Sequence, residues 1–318
     1  MRMDLSIVIP VYNEQDNVEL LRSKMDAYLG TVSIKTELVF VDDGSVDASV
    51  ERLCQKPFQN ASVKIIKLSR NYGAHAAIRA GLQRATADIC MIYFMDMQDP
   101  LEMIGDFYKK ICEDYDIVYE DRVNYHQKAS IASKIYGKLI KKWIIPDYPE
   151  NGVGCFMINK KVKDQLNQNV ESNSSLYFQL FTLGFKKIGL PYEPRERKGG
   201  KSRWTFSKKL KLFVDSFVAF SNVPSRFVTI MGAVLALVGI IWGLAIIVIK
   251  VFNIIPLNAG WPTLLALLLF GFGVTNLSVG IIAEYLWRTL DVARKRPVFI
   301  IDEEFYINNL KNEKEIKA

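Results

Sequence analysis

The sequence predicts an α/β domain with a mostly parallel, Rossmann-like sheet, followed by a hairpin of two hydrophobic helices. Over the first 120 residues, short apolar runs rich in β-branched residues alternate with helical patterns. Such alternation is typical of a doubly wound parallel sheet. Closer to the C-terminus, residues 228–252 contain Lys250 as their only charge, and residues 263–283 contain none. A helix of either length is able to cross a hydrocarbon layer of about 30 Å.

The predicted elements follow one another in a regular order. Strands are expected at residues 6–12, 37–41, 64–68, 89–94 and 116–119. Because these runs are almost continuously apolar, helices should cover both faces of the sheet. The helices between them are expected at residues 16–29, 47–55, 74–85 and 100–114. The pattern weakens over residues 124–194, where it favours helices at 129–143 and 174–183.

The hydrophobic stretches divide the chain into four predicted segments. Residues 1–204 would form the large domain, and residues 205–224 an amphipathic helix in the membrane interface. Residues 225–287 would form a transmembrane hairpin with spans of about 228–252 and 263–286, and residues 288–318 a tail. Two buried core helices are the alternative, but core helices seldom lack a polar face over such lengths.

Charge and flanking sequence predict the location of these segments. Basic residues flank the outer ends of both spans, so the positive-inside rule places both termini and the large domain in the cytosol. No apolar signal segment precedes the first strand, which also keeps the large domain cytosolic. We therefore expect a multi-pass protein of the inner, cytoplasmic membrane.

Composition and missing motifs exclude several classes of function. The net charge of +7 suits a surface facing anionic headgroups, and no nucleic-acid recognition motif accompanies it. The sequence has neither a G-x-G-x-x-G after its first strand nor a Walker lysine loop, so dinucleotide and P-loop sites are excluded. The cysteines have no metal or redox spacing and are expected to be reduced; they are Cys54, Cys90, Cys112 and Cys155.

A first group of candidate residues follows the first two strands. Asn13 and Glu14 follow the first, and Asp42 and Asp43 end the second. Ligands bind at the carboxyl ends of the strands in this architecture, where carboxylates could accept hydrogen bonds from a base edge and ribose hydroxyls. Tyr12 could pack against the base. Alternatively, the two aspartates only shape a turn before a helix.

A second group follows the fourth strand, in the segment of residues 96–100. Divalent cations that bridge a diphosphate need oxygen ligands, usually one or two carboxylates. If the segment is extended, Asp96 and Gln98 point to the same side and could both contact the ion. For Asp99 we favour a different role, since Asp-Pro-Leu-Glu has the pattern of a capping box, with Asp99 as N-cap and Pro100 at the first helical position.

A third group consists of Arg122 and the loop of residues 195–204, which is dense in glycine and cations. Guanidinium groups bind phosphate in a bidentate manner, and a glycine-containing loop can close over a ligand. A basic loop next to a membrane span could also contact headgroups. Both interpretations hold together if the substrate is a lipid phosphate.

These motifs resemble family 2 glycosyltransferases of the GT-A fold. More narrowly, they are similar to the polyisoprenyl-phosphate glycosyltransferases, the group that contains dolichol-phosphate mannose synthase. The resemblance covers nearly the whole chain, including the hairpin. It is carried by residues 6–14, Val41-Asp42-Asp43-Gly44-Ser45, Leu68-Ser69-Arg70-Asn71-Tyr72-Gly73, Asp96-Met97-Gln98-Asp99-Pro100 and Arg197-x-x-Gly200-x-Ser202-Arg203-Trp204.

The resemblance implies an activity and its partners. A nucleotide sugar carrying UDP or GDP would donate its sugar, with inversion, to a polyprenyl phosphate such as undecaprenyl phosphate. The resulting lipid-linked sugar would serve cell-envelope or O-antigen modification. Mg²⁺ or Mn²⁺ is the implied cofactor. Further implied partners are the membrane, a second copy of the chain, a flippase and a downstream glycosyltransferase that uses the lipid-linked sugar; nucleic acid is not among them.

The resemblance also implies roles for individual residues. Those of the nucleotide pocket would be Pro10, Tyr12, Glu14, Val41, Asp43 and Met95. The metal would be held by Asp96 and Gln98. Catalysis would depend on Asp96, Arg122, Arg197 and Arg203. The acceptor phosphate would contact Lys201, Ser202 and Arg203.

Two positions depart from the family pattern. Relatives usually carry Asp-x-Asp where this chain has Phe94-Met95-Asp96, so one carboxylate of the metal site is missing. The GtrB-type bactoprenol glucosyltransferases of the group also have an acidic residue in a Gly-Asp-Phe-Arg-like segment, for which this chain has Gly154. A prenyl phosphate is already anionic at neutral pH, so a general base is not essential. Positioning of the substrates and neutralisation of the leaving diphosphate could supply most of the rate acceleration.

Two other functions stay open at this point. A processive polysaccharide synthase shares the catalytic domain, but usually has more spans and a Gln-x-x-Arg-Trp motif, of which only Arg203-Trp204 is present. A degenerate relative that binds nucleotide or lipid phosphate without turnover would explain Phe94 and Gly154. Self-association through the hairpin is a further possibility, because Gly239-x-x-x-Gly243 and Asn276 are features of packed membrane helices.

Overall fold

A computed structural model describes residues 3–123, 141, 145–149, 152–170, 175–193, 223–252, 261–294 and 296–307. The chain divides into two compact units. One unit combines Met1–Phe206 with Pro297–Ala318, and the other consists of Ser207–Arg296. Residues 205–222 of the predicted amphipathic helix at 205–224 and most of the predicted helix at 129–143 lie outside the described residues. Residues 223 and 224 begin a long hydrophobic helix.

The first unit is built on an eight-stranded sheet in the order β7-β5-β6-β4-β1-β2-β3-β8. The strands are β1 (Leu5–Val11), β2 (Thr36–Asp42), β3 (Ala61–Leu68), β4 (Ile89–Ile92), β5 (Ile117–Arg122), β6 (Val153–Ile158), β7 (Lys187–Tyr192) and β8 (Ile301–Ile307). Strand β6 is antiparallel to β4 and β5, and β8 is antiparallel to β3. The other pairings are parallel, which confirms the predicted mostly parallel sheet.

Helices of this unit cover the two faces of the sheet. They are α1 (Val18–Leu29), α2 (Ser49–Gln55), α3 (Ala74–Arg84), α4 (Glu102–Cys112), α5 (Lys160–Gln168) and α6 (Leu176–Thr182). Alternate residues of β1, such as Leu5 and Ile7, are buried in one core with residues of α1 and α4. On the opposite face α3 packs directly on the sheet. A Cβ at Gly81 would meet Val8 Cγ1 at 2.2 Å, so only glycine permits this approach.

The C-terminal segment of the first unit adds an edge strand that we had predicted only as part of a tail. Strand β8 pairs with β3 from Val63–Ile307 to Leu68–Ile301. The Lys64 side chain of β3 is buried and lies 3.5 Å from Glu304 of β8. Residues beyond the second hydrophobic helix therefore complete the sheet.

The second unit contains two long helices, α7 (Val223–Val251) and α8 (Trp261–Ala293). The predicted spans at 228–252 and 263–286 coincide with them, although α8 continues one to two turns further. Large apolar side chains are exposed along both helices, among them Ile230, Leu237, Phe270 and Leu286. Within the described part of the chain, no helix meets the length and apolarity expected of a membrane span. The transmembrane hairpin stays a prediction.

Candidate active site

The candidate residues converge on one edge of the sheet. Strands β1, β2 and β4 are neighbours and run parallel. Strand β5 runs the same way, because both β4 and β5 are antiparallel to β6. The carboxyl ends of these four strands therefore meet at the edge where this architecture binds ligands. Asn13, Asp43, Asp96 and Arg122 all follow or end one of these strands.

Hydrogen bonds join the loops that follow β1 and β2. Asn13 has a left-handed backbone with φ of 52°. Its N–H donates to Ser45 Oγ at 2.9 Å, and its Oδ1 accepts from the N–H of Val46 at 2.9 Å. The N–H of Glu14 donates to Ser49 Oγ at 2.8 Å. The first two loops are thus joined by three hydrogen bonds.

Asp42 and Asp43 shape the turn after β2 and the loop after β3. Asp42 accepts from the N–H of Ser45 at 3.2 Å. Both carboxylate oxygens of Asp43 accept from the next loop, from the N–H groups of Tyr72 at 2.7 Å and Gly73 at 2.8 Å. Burial raises the pKa of both aspartates, and these hydrogen bonds oppose that change. The turn-shaping role is therefore present, and nucleotide binding by Asp43 stays a prediction.

The other residues expected in the nucleotide pocket differ in their exposure. Pro10, Tyr12 and Glu14 are partly exposed, and Glu14 Oε2 accepts from Asn17 Nδ2 at 2.6 Å. Val41 and Met95 are buried. The first three can contact a ligand at this edge, whereas Val41 and Met95 present almost no surface to one in this structure.

The loop after β4 turns sharply instead of continuing as an extended segment. The strand ends at Ile92, and Met97 has a φ of 49°. The prediction that Asp96 and Gln98 alternate along an extended chain is therefore wrong, because the left-handed residue between them reverses the chain. The turn nevertheless keeps the two residues close, since the N–H of Gln98 approaches Asp96 Oδ1 at 3.5 Å.

Asp96 and Gln98 fit a hard divalent cation by the chemistry of their donors. A carboxylate and an amide oxygen are ligands that Mg²⁺ and Mn²⁺ accept, with the remaining positions filled by water and phosphate oxygens. Both residues are partly exposed, so they can reach an ion at the site edge. Asp96 is the single carboxylate of this pair. Phe94 occupies the position of the second one, and its ring packs against the hydrophobic core.

Asp99 is not the helix cap that its sequence context indicates. Helix α4 begins at Glu102, and its N-cap position is Leu101 without a side-chain hydrogen bond. The buried carboxylate of Asp99 turns instead toward β5 and β6, where its Oδ2 accepts from Cys155 Sγ at 3.0 Å. The capping-box prediction is wrong because the side chain finds its partners in the neighbouring strands.

A mostly buried charged cluster lies beside this loop. It consists of Asp99, Glu120, Arg122 and Cys155. Glu120 Oε1 accepts from Arg122 Nε at 3.2 Å, and its Oε2 accepts from the N–H of Cys155 at 3.1 Å. Arg122 Nη2 lies 3.8 Å from Asp99 Oδ1. The guanidinium group is therefore placed against two carboxylates.

The ionisation of this cluster reflects burial and close charges. Burial raises the pKa of Glu120, Asp99 raises it further, and Arg122 opposes both. Burial alone would lower the pKa of Arg122, but the carboxylates of Glu120 and Asp99 outweigh it and raise this pKa. Burial also raises the pKa of the Cys155 thiol. Arg122 is the permanent cation of the cluster, and Cys155 stays a neutral thiol.

Arg122 makes this cluster a poor site for a divalent cation. The ligand atoms of Asp99, Glu120 and Cys155 lie within 4.8 Å of one another. A guanidinium group already faces the two carboxylates, however, and would repel a cation bound between them, and a neutral thiol is a poor ligand for Mg²⁺. The cation at Asp96 and Gln98 stays a prediction, and the carboxylates of the cluster serve Arg122.

Arg122 is predicted from the sequence as a member of the site, whereas Glu120 and Cys155 are not. The predicted strand ended at residue 119, one position before Glu120. A glutamate within a buried strand is a signal in itself, because buried carboxylates are rare unless paired. The predicted phosphate-binding residues Arg197, Lys201, Ser202 and Arg203 lie outside the described residues, and their roles stay predictions.

The glycosyl transferase family 2 model matches residues 6–166. This range includes the loops after β1, β2, β3 and β4 and the charged cluster. The chain belongs to glycosyltransferase family 2. The predicted enzyme class is thus confirmed: the protein is a glycosyltransferase. The putative glycosyltransferase CsbB of Bacillus subtilis is 32% identical over 302 residues, covering 94% of this chain and 91% of that protein.

Two further similarities refine this family assignment. An undecaprenyl-phosphate 4-deoxy-4-formamido-L-arabinose transferase of Klebsiella pneumoniae is 30% identical over 305 residues, covering 93% of this chain and 92% of that glycosyltransferase. Its name confirms the resemblance to the polyprenyl-phosphate group. The mannosyl-3-phosphoglycerate synthase of Rubrobacter xylanophilus matches with a TM-score of 0.50 at 12% identity, covering 73% and 75% of the two chains. This similarity supports the expected GT-A fold.

Proposed function

We propose that this glycosyltransferase moves a sugar from a nucleotide sugar to a polyisoprenyl phosphate, namely undecaprenyl phosphate, at the cytosolic face of the membrane. The observation that carries the proposal is the strand-end edge, where Asp96 and Gln98 follow β4 and Arg122 ends β5. Oxygen ligands for a cation and a fixed guanidinium group suit a diphosphate donor. A relative similar over nearly its full length is named for undecaprenyl phosphate, which supports the acceptor.

The chemical step in this proposal is a direct displacement. An oxygen of the acceptor phosphate forms a bond to C1 of the sugar while the bond from C1 to the donor diphosphate breaks. The bonding electrons leave with the diphosphate oxygen, and the configuration at C1 is inverted. No proton has to be removed from the nucleophile, since the phosphate is already an anion at neutral pH.

The residues of the site would bind and orient the two anionic substrates. Arg122 would donate hydrogen bonds to phosphate oxygens and neutralise charge that develops on the leaving group. Asp96 and Gln98 would hold Mg²⁺ or Mn²⁺, which when bound supplies positive charge to the diphosphate. Glu14 and Asp43 would contact the nucleoside. Arg197, Lys201, Ser202 and Arg203 belong to the same proposal through the resemblance.

The membrane part of the proposal concerns location and the route to the acceptor. The two hydrophobic helices α7 and α8 would anchor the chain in the inner membrane, with the catalytic unit on the cytosolic side. Exposed apolar side chains along both helices support an apolar environment for them. The product, a lipid-linked sugar, would then pass to a flippase and a further transferase for envelope modification.

The test of this function uses labelled donors and a loss-of-function variant. Membranes that contain the full chain are incubated with a panel of labelled UDP and GDP sugars, and label is measured in the lipid fraction. We expect one donor to label the lipid, and Asp96→Ala to reduce this transfer at least 100-fold, since the carboxylate is the only acidic cation ligand proposed. Asp88→Asn is the matched control, because Asp88 precedes β4 at its other end and pairs with Lys160.

Two results would contradict the proposal. One is full transfer activity in the Asp96→Ala chain. The other is the absence of lipid labelling with every donor, which would favour a relative that binds without turnover. The Asp88→Asn chain should keep the wild-type rate, so a loss in both variants would indicate general damage to β4.

A further inference from the structure

Strand β6 contains a β-bulge beside the charged cluster. Its pairing with β5 runs from Tyr119–Phe156 to Asp121–Val153. Gly154 and Cys155 therefore face the single residue Glu120. Bulges of this kind redirect side chains and are frequent next to active sites. This bulge places the backbone of Gly154 against the carboxylate of Glu120.

Gly154 leaves room for that carboxylate. A Cβ at position 154 would fall 1.7 Å from Glu120 Oε2 and 2.4 Å from Arg122 Nη2. No side chain fits there while Glu120 and Arg122 occupy their positions. Gly154 does not have a positive φ. Backbone conformation is therefore not the reason for a glycine at this position. The carboxylate of β5 thus fills the space into which a side chain of β6 would extend.

We propose that Glu120, whose carboxylate occupies the space beside Gly154, is a positioning residue of the site. Its role is to position Arg122 for the anionic groups of the substrates. This inference rests on the proposed function, because it concerns the binding of donor diphosphate or acceptor phosphate.

The contacts of Arg122 support a positioning role for Glu120. Glu120 is fully buried and accepts from Arg122 Nε at 3.2 Å, while Asp99 approaches Arg122 Nη2 at 3.8 Å. The planar guanidinium group is thus held by a hydrogen bond at Nε and by an ion-pair contact at Nη2. Its side chain is 21% exposed, so a ligand at the edge can still reach it. A buried charge network is weak as a device for stability alone, which favours a functional reason for it.

The decisive experiment moves the carboxylate from one strand to the other. Four full-length chains are compared in detergent: wild type, Glu120→Gly, Gly154→Asp and the double variant. The measured quantities are the affinities for UDP and GDP and the rate of lipid labelling with the active donor. We expect each single change to weaken affinity or rate at least tenfold. The double variant should return to within threefold of wild type, because one carboxylate again faces Arg122.

Glu120→Gln separates the charge of this side chain from its volume. It preserves the shape but removes the negative charge, and we expect the same tenfold loss. If the double variant fails to fold, Glu120→Gln still tests whether the charge of Glu120 is needed. Glu37→Gln is the matched control, because Glu37 is equally buried and accepts from Ser6 Oγ and Thr86 N. This control should lower the melting temperature without changing affinity or rate.

The outcomes separate this inference from the proposed function. Wild-type affinity and rate in Glu120→Gln would overturn the inference, as would a folded double variant no better than its single parents. A wild-type chain that neither binds nucleotide nor labels lipid would overturn the proposed function instead. If the proposed function fails in this way, the melting temperature still tests whether Glu120 fills the space beside Gly154. Gly154→Asp should lower the melting temperature, and the added Glu120→Gly change should restore it. Absence of recovery overturns the inference independently.

Discussion

At the scale of single residues, carboxylates that look alike in the sequence perform different tasks. Asp42 closes its own turn, Asp43 fixes the loop after β3, and Asp99 contacts a thiol and a guanidinium group. Each task follows from the nearest donors, since a buried carboxylate must find hydrogen bonds to offset the loss of water. An ionised carboxylate has several lone pairs. Asp43 can therefore support the loop and still accept from a ligand.

His75 shows the opposite case, a partly buried ring with a buried, unpaired nitrogen. It lies at the start of α3, edge-on to the ring of Tyr177 of α6. Its Nδ1 has no hydrogen-bond partner within the described part of the chain. Burial, and secondly the positive charge of Arg79, lower the pKa of His75 from 6.5 to about 4. The folded protein therefore holds this imidazole neutral.

His75 makes the stability of the domain dependent on pH. Because its pKa is lower in the folded state, the stabilising contribution is complete above pH 6.5 and is lost as the pH falls toward 4. As the pH falls from 6.5 to 4, we expect the free energy of unfolding to fall by up to roughly 3 kcal/mol. The measurement is urea unfolding of the full chain in detergent at pH 7 and pH 4.5. His75→Phe should show a clearly smaller loss, and an equal loss in both chains would contradict the assignment.

At the scale of elements, β8 completes a sheet whose other strands come from the first two thirds of the chain. It covers β3, which would otherwise be an exposed edge with unpaired backbone groups. The buried Lys64 of β3 lies 3.8 Å from Glu37 and 3.5 Å from Glu304 of β8, and it donates to the carbonyl of Arg84 at 2.7 Å. Strand β8 thus supplies part of the neutralising charge of a buried cation.

Two adjacent glutamates of β8 allow a matched test of this role. Glu304→Gln should reduce the free energy of unfolding by roughly 1–2 kcal/mol, since Lys64 is 3% exposed and keeps only Glu37 as a charged partner. Glu303→Gln should cost less than about 0.5 kcal/mol, because its ion pair with Lys67 lies at the surface. Urea midpoints of the two variants provide the comparison. Equal midpoints would show that burial of Lys64 does not depend on β8.

At the scale of the whole molecule, the proposed topology can be read from the protein's own cysteines. Cys54 and Cys112 are exposed on the first unit, whereas Cys90 and Cys155 are buried. The proposed orientation places the first unit in the cytosol and the connection between α7 and α8 on the opposite side. The natural thiols therefore report one side of the membrane, and an introduced thiol can report the other.

Labelling with a membrane-impermeant maleimide should reveal opposite sides for the two regions. In inside-out vesicles we expect Cys54 and Cys112 to react, and in intact spheroplasts we expect them to be protected. In a chain with both changed to serine, Asn258→Cys should react only in spheroplasts. Reaction of the natural cysteines in spheroplasts would contradict the cytosolic location. Detergent-solubilised protein, in which all exposed thiols react, provides the reference.

Much of the fold and part of the site were predictable from local sequence. All five predicted strands and four helices of the first 120 residues are present, because apolar periodicity is a local property of the chain. Strands β6, β7 and β8 were missed. Strand β6 is apolar and buried but contains Gly154 at a bulge, and glycine weakens a strand pattern. Strand β8 has acidic residues along an edge. Glu120 was missed because the predicted strand ended one residue earlier.

The sequence by itself determined the order of the elements, the polar residues at the strand ends and, through its motifs, the glycosyltransferase family. These features depend on neighbours within a few residues, or on side-chain types that the chemistry requires. Only the tertiary structure decided that Asp99 faces β5 and β6 instead of capping α4, and that Glu120 fills the space beside Gly154. Both results depend on strands brought together by pairing between distant parts of the chain. Local sequence does not show which side-chain atoms come into contact once these strands have paired.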